Sequence, residues 1–213
     1  MSIQRIREKN KADIHRLILV TARKSFIEEG FENFSLRGLA QRIGYSPAAI
    51  YRYFKSKNEI FACLTAESFD LLIKASSSVV PDPDEDTVSV LKRGMHAYVA
   101  FGLNNPDHYR IAFLLDGGES NGPQRPRAAY EALRARIRRC IESGRMFPAD
   151  TDLLAQSLWA AVHGITSLLV QRRSFPWVAR NELVDRVIDS AVDALLVHPR
   201  VVPPGHEPHH REA

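Results

Sequence analysis

The side chains best suited to bind another molecule lie close together between Ser35 and Lys57. This segment carries hydroxyl, phenol and cationic groups a few residues apart. Such groups donate hydrogen bonds to phosphate oxygens, and a serine at a helix N-terminus adds backbone N–H groups to the same task. The side chains predicted to contact phosphates are Ser35, Tyr51, Tyr53, Lys55 and Lys57.

Two short helices are predicted to position these groups. Ser35 can cap the first helix, which Gly44 ends, and Ser46 can cap the second, with Pro47 at its first helical position. Glycine permits the left-handed backbone that reverses the chain in the turn around Tyr45, which we include among the predicted DNA-contacting residues. Helices joined by so short a turn form a helix-turn-helix, whose second helix presents its N-terminal residues to a major groove.

Small residues occupy the tip of that second helix. Ala48 and Ala49 let the backbone approach a duplex closely, and their methyl groups can contact thymine methyls. Because alanine makes no side-chain hydrogen bond, sequence specificity is expected to depend on Arg37, Arg52 and DNA shape.

The distribution of charge agrees with a polyanionic partner for this part of the chain. Residues 1–57 hold 12 Lys and Arg against 5 Asp and Glu, whereas residues 58–213 hold 17 against 20. Basic excess confined to one segment is typical of nucleic-acid binding, although a solvated basic face would give the same count. Residues 1–12 add Arg5, Arg7, Lys9 and Lys11, which indicate either a flexible arm on DNA or a solvated tail.

A resemblance to a known family sharpens this interpretation. The stretch from Ser35 to Lys57, together with Phe26, Gly30 and Phe31, resembles the DNA-binding signature of the TetR family of regulators; its last part reads Ile50-Tyr51-Arg52-Tyr53-Phe54-Lys55-Ser56-Lys57. The resemblance covers about the first 65 residues. It implies phosphate contacts from Ser35, Tyr51, Tyr53 and Lys57 and groove contacts near Ser46, Ala48, Ala49 and Arg52. The alternative for the tyrosines is that they pack within the head.

The rest of the chain also follows helical patterns, so we predict an all-α fold. Residues 1–56 form an N-terminal arm and a three-helix head, and residues 57–198 form a bundle of about five or six helices. Ser56 and Glu59 match the S-x-x-E capping box that opens the first of these helices, over residues 57–77. The proline-bearing tail, residues 199–213, is predicted to be disordered.

Several classes of protein do not fit the composition. Cys63 and Cys140 match no metal or redox spacing and are interpreted as free thiols in the cytoplasm, and no secretory signal begins the chain. The uncharged stretch 153–171 approaches the length of a membrane span but contains Gln156, Ser157, His163 and Thr166, which favours a helix buried in protein. No phosphate loop, nucleophile motif or paired carboxylates indicate an enzyme, and no cofactor is predicted.

A helix-turn-helix head binds DNA best in a pair, so the body is predicted to form a homodimer. The last two long helices carry apolar stripes, and Ala160, Ala161 and Gly164 would allow close helix approach. The predicted interface comprises Leu154, Leu158, Val162, Ile165, Leu169, Val184, Ile188, Ala191 and Leu195. The alternative is that both stripes face the core of their own protomer.

The body is also expected to enclose a ligand pocket. Trp159 and His163 stand four residues apart on one helix face, and this stretch resembles the Trp-x-x-x-His-Gly signature of one C-terminal class within the same family. Aromatic walls with an imidazole as the polar element suit a small apolar or amphipathic molecule. The predicted lining is His96, Tyr98, Phe101, Tyr109, Phe113, Trp159 and His163; an ordinary core is the alternative, and the histidine spacing fits no metal site.

These observations favour a dimeric repressor that binds a palindromic operator in double-stranded DNA and is released by a small molecule. Release requires that the molecule bind two body conformations with different affinity, and the helix starting at Lys57 links head to body. A body that binds a protein partner, or activation in place of repression, stays open at this point.

Overall fold

The structure is a computed structural model that describes residues 3–115 and 125–197. Within these residues the chain is all-helical, as predicted, and three helices of the head precede six of the body. The helices are α1 (Ile3–Asn33), α2 (Leu36–Arg42), α3 (Pro47–Tyr51), α4 (Lys57–Ser77), α5 (Thr87–Asn104), α6 (Pro106–Phe113), α7 (Arg125–Glu142), α8 (Thr151–Gln171) and α9 (Arg180–Asp193). The predicted tail 199–213 lies outside the described residues.

The head is stabilised by local capping and by an aromatic core. Ser35, Ser46 and Ser56 cap α2, α3 and α4, as predicted, each accepting a hydrogen bond from a backbone N–H three residues on. Glu59 also folds back over the start of α4, where its side chain accepts a bond from the N–H of Lys55, the residue before the cap, at 2.7 Å. Gly44 has a φ of +71°, which lets the chain turn sharply between α2 and α3.

The core of the head extends beyond residue 56, where the sequence analysis placed the domain boundary. Phe26, at the centre of this core, stacks on Phe34 at a centroid distance of 4.0 Å and meets Phe61 of α4 edge-on at 5.2 Å. Ile60 and Leu64 of α4 are fully buried in the same cluster. The first two turns of α4 therefore belong physically to the head.

The N-terminal segment is helical from residue 3, where the sequence left open a flexible arm on DNA or a solvated tail. Helix α1 begins at Ile3 and is regular as far as Gly30, whose φ of +79° interrupts it. Lys9 and Lys11 are exposed on this helix. Arginine, glutamate, lysine and alanine are good helix formers, so this run extends the amphipathic helix past the residues that touch the core.

The body packs α5, α7, α8 and α9 around one apolar core. Its centre contains Leu91 and Met95 of α5, Ile137 of α7, Leu158 of α8 and Ile188 of α9, all nearly inaccessible to solvent. Helices α4 and α6 lie between this core and the head: Ile111 of α6 is buried in the head cluster, whereas its neighbours Ala112 and Phe113 face a cavity in the body. Two helices thus connect the two parts of the molecule.

Helix α8 is the segment that the sequence analysis weighed as a membrane span. Within the described residues it alone is long and apolar enough to cross a membrane by length and composition. Eight of its residues are buried, among them Leu158 and Thr166, and it packs against α5, α7 and α9. A core helix of a soluble protein has the same character, so its composition is weak evidence for a membrane.

A close approach at Gly102 of α5 predicts a sensitive position. A Cβ at this residue would collide with Cγ2 of the fully buried Thr166 and lie 2.9 Å from Cδ2 of Tyr109. Overpacking a rigid core is destabilising, so Gly102→Ala is expected to lower the free energy of unfolding by about 1–3 kcal/mol, measured by urea denaturation. Gly94→Ala in the same helix is the control, because its Cβ meets only the flexible end of Arg136. Equal effects of the two changes would contradict the expectation.

Candidate functional site

The tip of the helix-turn-helix points into solvent. Ser46 and Ala48 at the start of α3 are exposed and Ala49 is half-buried, while Ile50 behind them is fully buried in the head core. The apolar side of α3 thus holds the helix in place and leaves its N-terminal end free. This arrangement meets the geometric requirement for insertion into a major groove.

Cations and phenols surround this tip. Tyr45 and Tyr51 are exposed over 37% and 55% of their surface, so both side chains are accessible to a partner molecule. Arg37, Arg52 and Lys55 are also exposed, and within the described residues none of the three forms an ion pair. Their charge is therefore available to phosphates or base edges.

The capping serines keep a donor for a phosphate. The Ser35 and Ser46 Oγ atoms accept hydrogen bonds from the N–H groups of Gly38 and Ala49 at 3.1 and 3.2 Å. Acceptance uses an oxygen lone pair, so each O–H proton stays free to bind an oxyanion. Both hydroxyls are consequently compatible with the phosphate contacts predicted from the sequence.

Lys57 and Tyr53 are less available than the sequence suggests. Lys57 Nζ donates to the Phe31 carbonyl at 3.0 Å and lies 4.4 Å from the centre of the Phe31 ring. It therefore ties the start of α4 to the end of α1, and a phosphate would have to compete with these contacts. The ring of Tyr53 packs against the head core, as the sequence analysis allowed.

A cavity of about 1080 Å³ opens in the body between α4, α5, α6, α7 and α8. Tyr98, Phe113, Trp159 and His163, four of the seven predicted lining residues, lie in its wall. The other side chains of the wall are mostly apolar. A volume of this size accommodates a drug-sized molecule.

The other three predicted lining residues lie elsewhere. His96 points to α9, where its Nε2 is 3.6 Å from a carboxylate oxygen of Asp185. Phe101 is buried among side chains behind the cavity. Tyr109 is completely buried, and only its hydroxyl reaches toward the cavity wall through His163. Helical spacing alone does not reveal which side of α5 or α6 faces the cavity.

Sequence reasoning missed several polar residues of the cavity wall. Thr65 of α4, Arg127 and Arg136 of α7, and Gln156 of α8 all line it. The signal in the sequence was weak, because α7 carries arginines on several sides and resembles a solvated charged helix. Only the packing of α7 against α4 and α5 shows that Arg136 faces inward.

A hydrogen-bond network surrounds His163. The hydroxyls of Tyr98 and Tyr109 lie 3.0 and 2.9 Å from its Nδ1, and Trp159 Nε1 donates to the Tyr98 hydroxyl at 3.4 Å. Burial lowers the pKa of His163 and raises the pKa of both tyrosines. The network therefore favours a neutral imidazole whose Nδ1 accepts a hydrogen bond.

The lowered pKa of His163 predicts an acid-sensitive body. Between the folded pKa and the ordinary value of 6.5 the unfolded chain binds more protons, so stability is full above that value and decreases as pH falls below it. His163→Gln is expected to show a smaller loss of Tm from about pH 7.5 to about pH 5.5 than the wild type. Part of the loss should persist, because burial also lowers the pKa of His108. Identical pH profiles would contradict the assignment.

The predicted dimer residues require a correction. Leu154, Leu158, Val162, Ile165 and Leu169 of α8 are all buried in the core of their own protomer. The same is true of Val184 and Ile188 of α9, and Ala191 and Leu195 pack against that core. An apolar stripe shows that a helix face is buried, but not whether by the same chain or by a second one.

A different side of α8 stays uncovered. Leu153 and Leu168 are exposed over 65% and 48% of their surface, and the small residues Ser157, Ala160 and Gly164 lie between them at intervals of three and four residues. A Cβ added at Gly164 would meet no atom within 4 Å. We call this surface, residues 153, 157, 160, 164 and 168, the outer face of α8.

Two expectations concerned cysteines and metals. Cys140 is buried and Cys63 half-buried, both as free thiols, in agreement with the prediction. In the parts of the chain that the structure describes, no three His, Cys, Asp or Glu side chains come together as metal ligands. His206, His209 and His210 of the tail lie outside those parts.

Curated relatives share sequence with most of this chain. The nucleoid occlusion factor SlmA of Vibrio campbellii is 27% identical over 152 residues, which cover 67% of this chain and 76% of the relative. SlmA of Escherichia coli O81 is 29% identical over the same length and is covered to 75%.

Solved structures share the fold. The TetR family regulator PfmR from Thermus thermophilus matches 83% of this chain and 97% of its own, with a TM-score of 0.68 and 27% identity. A tetR family regulatory protein from Rhodococcus RHA1 covers 87% of this chain and 98% of its own with a TM-score of 0.69. At 18% identity, the second match shows the fold alone.

Two family models match the two parts of the molecule. Residues 18–64 match the bacterial regulatory proteins of the tetR family, and residues 91–195 match the tetracyclin repressor-like C-terminal domain. The narrower Trp-x-x-x-His-Gly class stays a prediction. The exposed helix-turn-helix and the helical body agree with both matches, and proteins of this kind are regulators and not enzymes. The chain belongs to the TetR family of DNA-binding transcriptional regulators.

Proposed function

We propose that this protein is a homodimeric repressor in the cytoplasm, which binds a palindromic operator and is released by a small amphipathic molecule in the body cavity. The observation that carries the proposal is the double role of α4 and α6. Thr65 and Phe69 of α4 line the cavity, and Leu64, the residue before Thr65, is buried in the head core. A molecule that moves either helix would therefore move the head.

Helix α6 provides a second connection. Ile111 is buried in the head core and its neighbour Ala112 lines the cavity, so adjacent residues contact the two regions. His108 of the same helix also bonds Ser68 of α4 at 3.1 Å, which holds the two connecting helices together. Occupation of the cavity can thus change the spacing of the two heads if it favours one arrangement of these helices.

The homodimer supplies two heads for one palindrome, and dimers are typical of this family. We assign the interface to the outer face of α8 in place of the buried stripes. Small residues between two leucines allow another helix to approach closely, and α9 lies next to this surface. On DNA, the two copies of α3 would enter successive major grooves about 34 Å apart.

The head residues proposed to contact DNA keep the assignment made from the sequence. Arg37, Arg52, Tyr45, Tyr51 and Lys55 are supported by their exposure, and Ser35 and Ser46 by their free hydroxyl protons. Lys57 and Tyr53 are supported less, since the first is engaged with Phe31 and the second packs in the head. The tip residues Ala48 and Ala49 would meet base edges.

The test begins with selection of bound sequences from random DNA by the purified full-length protein. The proposal expects a palindrome, bound with an affinity that falls steeply as salt increases. A compound library screened by thermal shift should then yield molecules that raise Tm and weaken operator binding. If the protein selects no DNA at low salt, the proposal that it is a DNA-binding regulator is wrong. If compounds raise Tm but leave operator binding unchanged, the proposed release by an effector is wrong.

A second candidate is a DNA-binding regulator, repressor or activator, whose body binds a protein partner. Two observations favour it: the similarity to proteins named nucleoid occlusion factors, and an aromatic pair between α8 and α9 with one exposed ring. The ring centroids of Phe175 and Trp177 are 4.4 Å apart and the rings are tilted by 51°; Phe175 is exposed over 55% of its surface, whereas Trp177 is half-buried. A screen that finds no compound able to stabilise the body would favour this candidate over the first.

A further inference from the structure

The cavity wall contains a cation, Arg136 of α7, that forms no ion pair with a carboxylate of the described residues. The Arg136 guanidinium donates to the Ser76 carbonyl at 2.8 Å and to the Ser76 hydroxyl at 3.1 Å, both at the C-terminal end of α4. The charged groups that act on it are Arg139 and Arg93, both of its own sign. Among the described residues, then, Arg136 has neutral hydrogen-bond partners and cationic neighbours.

This position is electrostatically unfavourable without a partner. Arg136 is half-buried, and this burial together with the two neighbouring arginines lowers its pKa. Two other arginines near this position are paired with carboxylates: Arg134 with Glu131 and Asp152, and Arg93 with Glu85. An anionic group inside the cavity would supply the missing charge, and a guanidinium fits carboxylates and sulfonates well.

The opposite end of the same wall carries an unsatisfied polar atom. Thr65 Oγ1 is buried and has no hydrogen-bond partner within the described residues. On α4, Thr65, Phe69, Leu72 and Ser76 follow one another at helical spacing and form one side of the cavity. At a rise of 1.5 Å per residue, the two ends of this wall are about 16 Å apart. The surface between them is apolar.

We propose that the effector is an amphipathic organic anion, whose acidic group pairs with Arg136 and whose apolar body lies against Phe69, Leu72 and Tyr98. The inference rests on the proposed role of the cavity as an effector site. Such a molecule contacts α4 directly through its apolar part, and its charge is linked to the C-terminal end of α4 through the hydrogen bonds of Arg136 to Ser76. It would stabilise one position of the helix that connects head and body.

A pair of fluorescent dyes tests the charge requirement. Anilinonaphthalene sulfonate and phenylnaphthylamine share the same rings and differ by the sulfonate, so the ratio of their dissociation constants isolates the anion. We expect the wild type to bind the sulfonate about tenfold more tightly, because a charge-assisted hydrogen bond in a cavity is worth that much. Energy transfer from Trp159 to the dye, in a Trp177→Phe background that leaves Trp159 as the single tryptophan, verifies that the dye occupies this cavity.

Variants of α7 separate recognition from a structural role. Arg136→Gln is expected to remove the preference for the sulfonate, Arg136→Lys to retain part of it, and Arg138→Gln to leave it unchanged, since Arg138 is exposed on the same helix. If Arg136 merely caps α4, its replacement would weaken both dyes equally and preserve the ratio. A preserved ratio, or equal loss in Arg138→Gln, would overturn the inference.

The outcomes also distinguish this inference from the proposed function. If the wild type binds both dyes equally well, the inference that the effector is an anion is wrong, but the proposed release by an effector still stands. No binding of either dye would remove the cavity as a ligand site, and effector release with it. Selection of a palindromic DNA would still support the DNA-binding regulator in both cases.

Discussion

Ala48→Glu is expected to abolish operator binding while the protein remains folded and dimeric. Ala48 lies exposed at the N-terminal end of α3, so a carboxylate there would face the phosphates and base edges of a bound duplex. Like charges brought together at an interface cost several kcal/mol, which corresponds to a loss of at least about a hundredfold in affinity. The fold should tolerate the change, since a negative charge near a helix N-terminus is favourable. Fluorescence anisotropy with the selected palindrome measures the effect.

Val80→Glu is the matched control for this prediction. Val80 is exposed over 69% of its surface and lies beyond the C-terminal end of α4, about 30 Å along that helix from its first residue, Lys57. The Val80→Glu substitution introduces the same charge far from the proposed DNA interface. Its operator affinity should stay within about twofold of the wild-type value at physiological salt, where charges are screened over about 8 Å. If the two variants bound DNA equally well, α3 would not be the element that enters the groove.

Leu168→Glu is expected to convert the dimer to a monomer and to weaken operator binding through loss of the second head. The side chain lies on the outer face of α8 and is exposed over 48% of its surface in the protomer. In the proposed dimer it would be buried against the partner, where an unpaired carboxylate costs several kcal/mol per copy and therefore twice per interface. Sedimentation velocity or light scattering measures the oligomeric state, and anisotropy measures the affinity for DNA.

Leu17→Glu provides the comparison, because Leu17 of α1 is a leucine of similar exposure, 41%, away from α8. It should leave the protein dimeric. The buried neighbour Leu169 is unsuitable for this purpose, since a charge there would unfold the protomer core. A Leu168→Glu protein that stays dimeric and folded would show that another surface joins the protomers.

Much of the head could be predicted from sequence because its determinants are local. A serine hydroxyl and the N–H three residues on form a cap whatever the rest of the chain does, so Ser35, Ser46 and Ser56 were all predicted correctly. The turn at Gly44 follows from the one residue type that adopts a positive φ without strain. The helical conformation of residues 3–12 was not predicted, because helix propensity over a polar run extends α1 without any apolar signal.

The direction in which each helix face points required the packed structure. Periodicity in α8 identified Leu154, Leu158 and Val162 as one stripe, but a helix without charged residues between 153 and 171 can bury more than one side. The stripe meets α5 and α7 of the same chain and leaves Leu168 outside. For the same reason His96 was predicted to line the cavity, although it lies next to Asp185 of α9.

The amino-acid order by itself determined that this chain is helical, that its head is a capped helix-turn-helix with a basic surplus, and that its body carries an aromatic cluster around Trp159 and His163. Only tertiary packing decided that Lys57 binds the end of α1, that Arg136 faces a cavity, and that the outer face of α8 is uncovered. Caps, turns and periodicity act between residues a few positions apart, whereas these three outcomes depend on which distant segments meet. Lys57 and Phe31 are 26 residues apart, and Arg136 and Ser76 are 60 apart.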